Sequence, residues 1–118
     1  MKMPISEIAD RLSICRLKSE RLENENLRDE LYTLESEAAI YKQISDFVDR
    51  LYEVNGQIWD LEADIRSGKE GELGLEEVGR RALAIRDLNK KRISIKNEIV
   101  ERYGEGFKEV KVNHASSN

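Results

Sequence analysis

Hydrophobic residues recur every three or four positions along three stretches of the chain, and this spacing predicts three amphipathic α-helices. The helices are predicted over residues 5–22, 27–67 and 75–103. The longest carries one continuous stripe, apolar except for its asparagine: Leu27, Leu31, Leu34, Ala38, Tyr41, Ile44, Val48, Leu51, Asn55 and Ile58. The pattern predicts an all-α fold, with residues 1–118 forming a single helical domain.

Asparagines and glycines mark the ends of these helices. The asparagine-rich residues 23–26 predict a short turn after the first helix, because asparagine favours helix ends over helix interiors. Three glycines within residues 68–74 predict the loop between the second and third helices, and Gly104 predicts the end of the third. Residues 104–118 are predicted to be a C-terminal tail, in which residues 107–112 alternate apolar and polar side chains as an extended segment does.

The length of the second predicted helix bears on the oligomeric state. At about 1.5 Å per residue it would be about 60 Å long, more than one small domain covers. We expect it to pair with the third helix as a long antiparallel, coiled-coil-like helical hairpin, since residues 27–67 carry a net charge of −6 and residues 79–103 one of +5. The apolar surface that remains predicts a homo-oligomer, with a dimer favoured, or a protein partner.

The hairpin predicts which residues of the two helices meet. With the turn centred near Gly71, Asn55 and Asn89 lie level with each other and are expected to form a buried amide layer. The same register places Glu62 close to the arginine pair at residues 80–81.

Composition narrows the class of protein. Of the 118 residues, 39% are hydrophobic, 37% are charged and one is proline, a profile typical of long amphipathic helices. The net charge of −4 makes a general nucleic-acid-binding protein an unfavoured interpretation. No apolar run approaches the roughly 20 residues of a membrane span, and no signal peptide is recognised. We therefore expect a cytoplasmic protein that does not bind membranes.

The single cysteine and the single histidine limit the chemistry of the chain. With only Cys15 and His114, we expect no disulfide, no zinc site and no cofactor. Cys15 lies on the apolar stripe of the first helix. The favoured interpretation is a small buried hydrophobic residue, and a reactive thiol is the alternative.

Seven polar and aromatic residues form the candidate site. Spacings of three and four place each group on one helical face. The second helix contributes Asn55, Trp59, Glu62 and Arg66, and the third contributes Asn89, Arg92 and Lys96. The favoured interpretation is a polar seam, a network that fixes the register of the two helices. The alternative is a pocket for a small anion (phosphate, nucleotide or sugar phosphate), with Trp59 as an apolar wall beside the three cations.

Paired carboxylates offer a further alternative, an enzyme. Asp46 with Asp49, and Glu98 with Glu101, have the spacing of the magnesium sites of all-α nucleotide pyrophosphohydrolases. Such pairs arise freely in a chain with 24 acidic residues, and the fuller pattern of those enzymes is missing. We therefore predict a non-catalytic helical oligomerisation or protein-interaction protein, and assign no catalytic and no metal-binding residue.

Three blocks of sequence carry a resemblance. Residues 7–14 are similar to E-L-x-D-K-x-T-I, residues 54–66 to V-N-x-x-L-W-x-x-E-x-x-I-R, and residues 89–99 to N-D-x-R-x-x-L-K-x-E-I. In this order they resemble a family of short, uncharacterised bacterial and phage helical proteins that share a domain of unknown function. Arg11 and Lys90 depart from the family's lysine and aspartate. The resemblance implies a helical fold and no particular activity.

Overall fold

The structure is a computed structural model that describes residues 3–22 and 24–104. Within these residues all regular structure is helical, in the order α1 (Ile5–Leu22), α2 (Asn26–Ala38), α3 (Ile44–Arg66), α4 (Glu70–Leu73) and α5 (Leu75–Tyr103). The prediction of an all-α fold is confirmed. Beyond Gly104, the predicted tail with its segment 107–112 lies outside the described residues.

Two of the three predicted helices have the predicted bounds, since α1 and α5 cover residues 5–22 and 75–103. Gly104 ends α5 with a left-handed φ of 67°, and its N–H donates to the Val100 carbonyl at 2.8 Å. This is the glycine cap that the sequence indicated. The predicted loop before α5 contains the single-turn helix α4 and ends at Gly74, whose φ is 82°.

The single helix predicted over residues 27–67 is wrong, because the chain forms two helices there, α2 and α3. In the connection, the Tyr41 N–H donates to the Ala38 carbonyl at 3.0 Å, and the Ile44 N–H donates to the Tyr41 carbonyl at 3.2 Å. Gln43 then adopts a left-handed φ of 66°. A right-handed helix cannot continue through such a residue.

Packing against α1 explains the break. α2 packs on α1, whereas α3 packs on both α1 and α5. The bend at Gln43 divides this stretch into two helices that both reach α1. As a result Leu34 of α2 and Leu51 of α3 are buried in the same core as Leu12 of α1.

α1 lies at the centre of this core. Its apolar stripe is buried, including Ile8 at 1% exposure and Leu12 at 2%. Cys15 is also buried, at 3% exposure, which confirms that it is a small core residue. Burial and the nearby Glu30 carboxylate raise the pKa of the Cys15 thiol, so the sulfur stays protonated at neutral pH.

The contacts between α3 and α5 join opposite ends of the two helices. Arg50, early in α3, donates two hydrogen bonds of 3.0 and 2.7 Å to the Glu98 carboxylate late in α5. Late in α3, the Asp64 carboxylate lies 3.5 Å from the Arg81 guanidinium early in α5. The first pair centres the turn at Gly74 and the second between Gly71 and Gly74, so the turn lies at or a few residues after the predicted Gly71.

Glu62 was expected close to the arginine pair at residues 80–81. Arg81 does reach this level of α3, where its Nη1 donates to the Leu61 carbonyl at 3.3 Å. The ion-pair partners, however, are different residues. Glu62 pairs with Arg66 on its own helix at 3.4 Å. Arg81 reaches Asp64 instead, and Arg80 pairs with a carboxylate of α5.

α1 crosses α3 at Gly56, a buried glycine inside a helix. A Cβ atom at Gly56 would lie 3.5 Å from Leu17 Cδ2, an ordinary van der Waals distance. The helices would therefore tolerate alanine at the crossing, and the glycine weakens α3 by about 1 kcal/mol relative to alanine.

The Gln43→Gly substitution tests the bend. Glycine adopts a left-handed φ without steric cost, so we expect the free energy of unfolding to rise by up to about 1 kcal/mol. The matched control is Gln57→Gly at an exposed helical position of α3, which we expect to lower it by about 0.5 kcal/mol. Urea unfolding followed by circular dichroism measures both. A loss of stability in both variants would show that residue 43 is helical.

The Gly56→Ala substitution tests the crossing of α1 and α3. We expect it to raise the free energy of unfolding by about 0.5–1 kcal/mol, because the methyl group fits and alanine favours the helix. The contrasting variant is Gly104→Ala, which we expect to be destabilising by about 1 kcal/mol because residue 104 has a positive φ. Destabilisation by Gly56→Ala would mean that α1 lies closer to α3 than described.

Candidate functional site

A buried carboxylate, Asp10 of α1, is the centre of the polar residues. Asp10 is 2% exposed. Arg92 of α5 donates to both of its oxygens, from Nε to Oδ1 at 3.0 Å and from Nη2 to Oδ2 at 2.6 Å. Asn55 of α3 donates to Asp10 Oδ1 at 3.0 Å. One carboxylate therefore links three helices that are distant in the sequence.

Neighbouring side chains complete this network. The Asn55 Nδ2 atom also donates to Ser13 Oγ at 2.9 Å, and Ser13 Oγ donates to the Asp10 carbonyl at 2.7 Å. One turn away, the buried Lys96 ammonium lies 2.6 Å from Glu7 Oε2. These pairs join the first two turns of α1 to α3 and α5.

Burial alone would raise the pKa of Asp10, because an apolar interior disfavours a charged carboxylate. The hydrogen bonds and charge of Arg92, helped by Asn55 and Lys96, outweigh burial and lower the pKa below its usual value. Asp10 is therefore a fixed anion at neutral pH. Its role is electrostatic, since a carboxylate in this state is a poor proton donor and a weak base.

A cavity of about 310 Å³ opens beside this network, between α1, α3 and α5. Its walls mix apolar and polar side chains: Ile14, Leu17, Asn55, Ile58, Trp59, Glu62, Asn89 and Arg92. Five of the seven predicted site residues are in this set, all except Arg66 and Lys96. The cavity has the mixed lining of a small-molecule site, with convergent polar groups on an apolar wall.

The two remaining candidates lie close to the cavity and are engaged with other groups. The Arg66 guanidinium stacks over the Trp59 ring, 4.1 Å from its centroid, and Nη2 donates to the Trp59 carbonyl at 3.1 Å. Lys96 is held by Glu7. The three cations that were candidates to bind an anion therefore each have a carboxylate partner. Arg92 pairs with Asp10, Lys96 with Glu7 and Arg66 with Glu62. An anion would have to compete with these carboxylates.

The predicted amide layer of Asn55 and Asn89 does not form, because the two side chains have other hydrogen-bond partners. Asn55 gives its side-chain N–H groups to Asp10 and Ser13 of α1. The Asn89 side-chain oxygen accepts a weak bond of 3.4 Å from Arg92 Nη1. The sequence-based register paired α3 only with α5, and it left out α1, whose Asp10 and Ser13 bind the Asn55 side chain.

The spacing of residues along the chain did not predict three residues of this network: Glu7, Asp10 and Ser13. Ser6, Asp10 and Ser13 are buried and follow one another at spacings of four and three, so they form a polar stripe along α1. This stripe beside the apolar one was the available signal. A buried serine or aspartate needs a partner from another element, and the stripe therefore predicts a polar contact with α1.

The carboxylate pairs of the enzyme alternative lie apart from the cavity. Glu98 is bound by Arg50, and Asp49 lies 3.7 Å from Arg16. Over residues 3–22 and 24–104, no three or more His, Cys, Asp or Glu residues cluster as metal ligands would. In the same ranges, no helix has the length and the apolar composition needed to cross a membrane.

No family model, curated protein or solved structure matches this chain. The resemblance of its three blocks to a family of helical proteins therefore stays a prediction. The positions that carry this resemblance include Glu7, Asp10, Asn55 and Arg92, which the structure brings together around one network.

The Asp10→Asn substitution tests the buried ion pair. At pH 7 we expect the free energy of unfolding to fall by about 3 kcal/mol, because Arg92 keeps its charge and loses its anionic partner. The matched control is Glu98→Gln in the exposed pair with Arg50, which we expect to cost less than about 1 kcal/mol. Urea unfolding measures both, and equal losses would contradict the assigned importance of Asp10.

The lowered pKa of Asp10 also predicts how the free energy of unfolding depends on pH. When a carboxyl group has a lower pKa in the folded than in the unfolded protein, it stabilises the fold at any pH above its unfolded-state pKa. This stabilisation is lost as the pH falls towards and through its folded-state pKa. For Asp10 the loss lies below about pH 4. The difference between wild type and Asp10→Asn should therefore shrink between pH 5 and about pH 3. A constant difference over this range would contradict the lowered pKa of Asp10.

Proposed function

We propose that the protein is a non-catalytic helical protein that works through self-association. One observation carries the proposal: the part of α3 and α5 farthest from α1 has no buried side chain. We define the outer segment as residues 63–66 of α3 and 75–86 of α5; each of its side chains is half-buried or exposed. It nevertheless contains five large hydrophobic residues: Ile65, Leu75, Val78, Leu83 and Ile85.

The contrast with the rest of the molecule supports this proposal. The buried residues of α3 and α5 lie at the other end of these helices, where α1 covers them, for example Leu51 and Ile99. Among the described helices, α4 is the one that packs beside α3 and α5 near the outer segment. Leu75 is 91% exposed and Leu83 is 55% exposed. Two helices alone cannot surround an apolar surface, so a further helical layer would stabilise this end.

A second copy of the chain fits as that layer. Over their full length α3 has a net charge of −4 and α5 one of +3. In the outer segment itself the charges nearly cancel, with one acidic and one basic residue in 63–66 and two acidic and three basic residues in 75–86, so two copies can meet in a twofold dimer through apolar surface without strong repulsion. We propose that α3 and α5 act as an antiparallel, coiled-coil-like hairpin and that two hairpins form a four-helix bundle.

Two further predictions from the sequence belong to this proposal. The three blocks resemble a family of helical proteins. That resemblance implies a helical fold and assigns no particular activity, so it is compatible with an interaction role. We also propose that the protein works in the cytoplasm, because its one cysteine is a buried thiol and the chain has no second cysteine for a disulfide.

Light scattering on the purified chain tests the assembly. We expect a mass of twice 13.7 kDa, and a shift to 13.7 kDa in the Leu75→Lys/Leu83→Lys variant, because two charges would be buried at the interface. The matched control is Tyr32→Lys/Ile40→Lys, which replaces two equally exposed hydrophobic residues of α2 and its following turn. A monomeric wild type, or dissociation by the control alone, would contradict the proposal.

A further inference from the structure

The cavity beside Trp59 lies between the buried core and the outer segment. α1 contributes Ile14 and Leu17 to its wall. The proposed self-association does not require this cavity, because its apolar surface is in the outer segment. The need to neutralise the buried Asp10 carboxylate explains why the half-buried Arg92 lies beside it. It does not explain why an open cavity with an aromatic wall remains beside them.

The polar residues that line this cavity carry both donors and acceptors that no described residue engages. In the described part of the chain, neither the Trp59 indole N–H nor the Asn89 side-chain nitrogen has an acceptor. Among acceptors, the side-chain oxygen Oδ1 of Asn55 receives no hydrogen bond from a described residue, because only its Nδ2 atom is engaged. Glu62 contacts Arg66 through one carboxylate oxygen, so its other oxygen also has no partner among the described residues.

The formal charges around the cavity are balanced. Arg92 is neutralised by Asp10 at 2.6 Å, and Arg66 by Glu62 at 3.4 Å. A phosphate would face the Glu62 carboxylate and could use only the donors of the cavity. An ammonium group could use only its acceptors, beside two guanidinium groups. A neutral molecule with hydroxyl or amide groups both donates and accepts, so it matches all four unused groups.

The shape of the cavity points to a ring. Ile14, Leu17 and Ile58 form apolar walls, and Trp59, one face of whose ring is covered by the Arg66 guanidinium, adds an aromatic wall. The volume of about 310 Å³ is at the lower end of the range of small-molecule sites. We propose that this cavity binds a neutral ring-shaped molecule that carries hydroxyl or amide groups. A monosaccharide and a nucleoside are the two sources of this chemistry.

Trp59 makes the proposal directly measurable, because it is the only tryptophan of the chain. The full-length protein labelled with ¹⁵N gives one indole N–H resonance. We titrate it with N-acetylglucosamine, with adenosine and with inorganic phosphate in separate arms. We expect a saturable shift of the indole resonance with a neutral ring, at a Kd below about 1 mM, and no saturable shift with phosphate. The responding arm identifies the source of the ring.

Asn89→Ala and Gln57→Ala separate the cavity from the surface next to it. Asn89 lines the cavity, and removal of its amide should weaken the Kd by about tenfold. Gln57 is an exposed amide of the same α3 stretch that does not line the cavity, and its variant should keep the wild-type Kd. Circular dichroism confirms that both variants fold. Asn89 has only one weak hydrogen bond, so its loss leaves the network around Asp10 intact.

Three outcomes would overturn the proposal. Both neutral arms could leave the indole resonance unchanged, or phosphate alone could shift it, which would support the anion site instead. The resonance could also shift on dilution without any ligand, which would make the cavity part of the self-association surface. The mass from light scattering is measured without ligand. A failure of the binding proposal is therefore distinct from a failure of the proposed dimer.

Discussion

The ion pair of Asp10 and Arg92 joins the first helix to the last across 82 residues of sequence, and the arrangement of the body depends on it. A carboxylate that is 2% exposed is tolerated only if its lost hydration is replaced. Arg92 replaces most of it from α5, and Asn55 adds a bond from α3. Apolar side chains alone would allow the helices to slide by a turn, whereas this carboxylate accepts only one arrangement of the three helices.

The molecule has two parts with different physical properties. α1 and three helices around it bury one apolar core that includes Leu34, Leu51 and Ile99. Farther along α3 and α5, the helices lose this cover, and their hydrophobic residues stay half-buried or exposed. The first part buries its apolar residues within one copy of the chain. The second part is where we expect a partner to bind, because association there would remove apolar surface from water.

The cavity lies where these two parts meet, and the ion pairs around it decide its chemistry. The sequence contains three cations near Trp59, which made an anion a reasonable ligand. In the structure Arg92, Lys96 and Arg66 each have a carboxylate partner, so the site is close to electrically neutral. What remains available is an aromatic wall with amide and carboxylate groups. A site of this kind selects by shape and by hydrogen bonding more than by charge.

The sequence by itself determined the helices, because the spacing of apolar residues follows from the turn of the α-helix. It placed α1 and α5 within their observed bounds and put Cys15 in the core. It also placed Asn55, Trp59 and Glu62 on one face, and all three line the cavity. Only the tertiary structure decided the bend at Gln43, since the apolar spacing runs through residues 38–44 without interruption. It also decided that Asn55 binds Asp10, because a polar side chain finds its partner through contacts between distant segments, and periodicity along one helix carries no information about them.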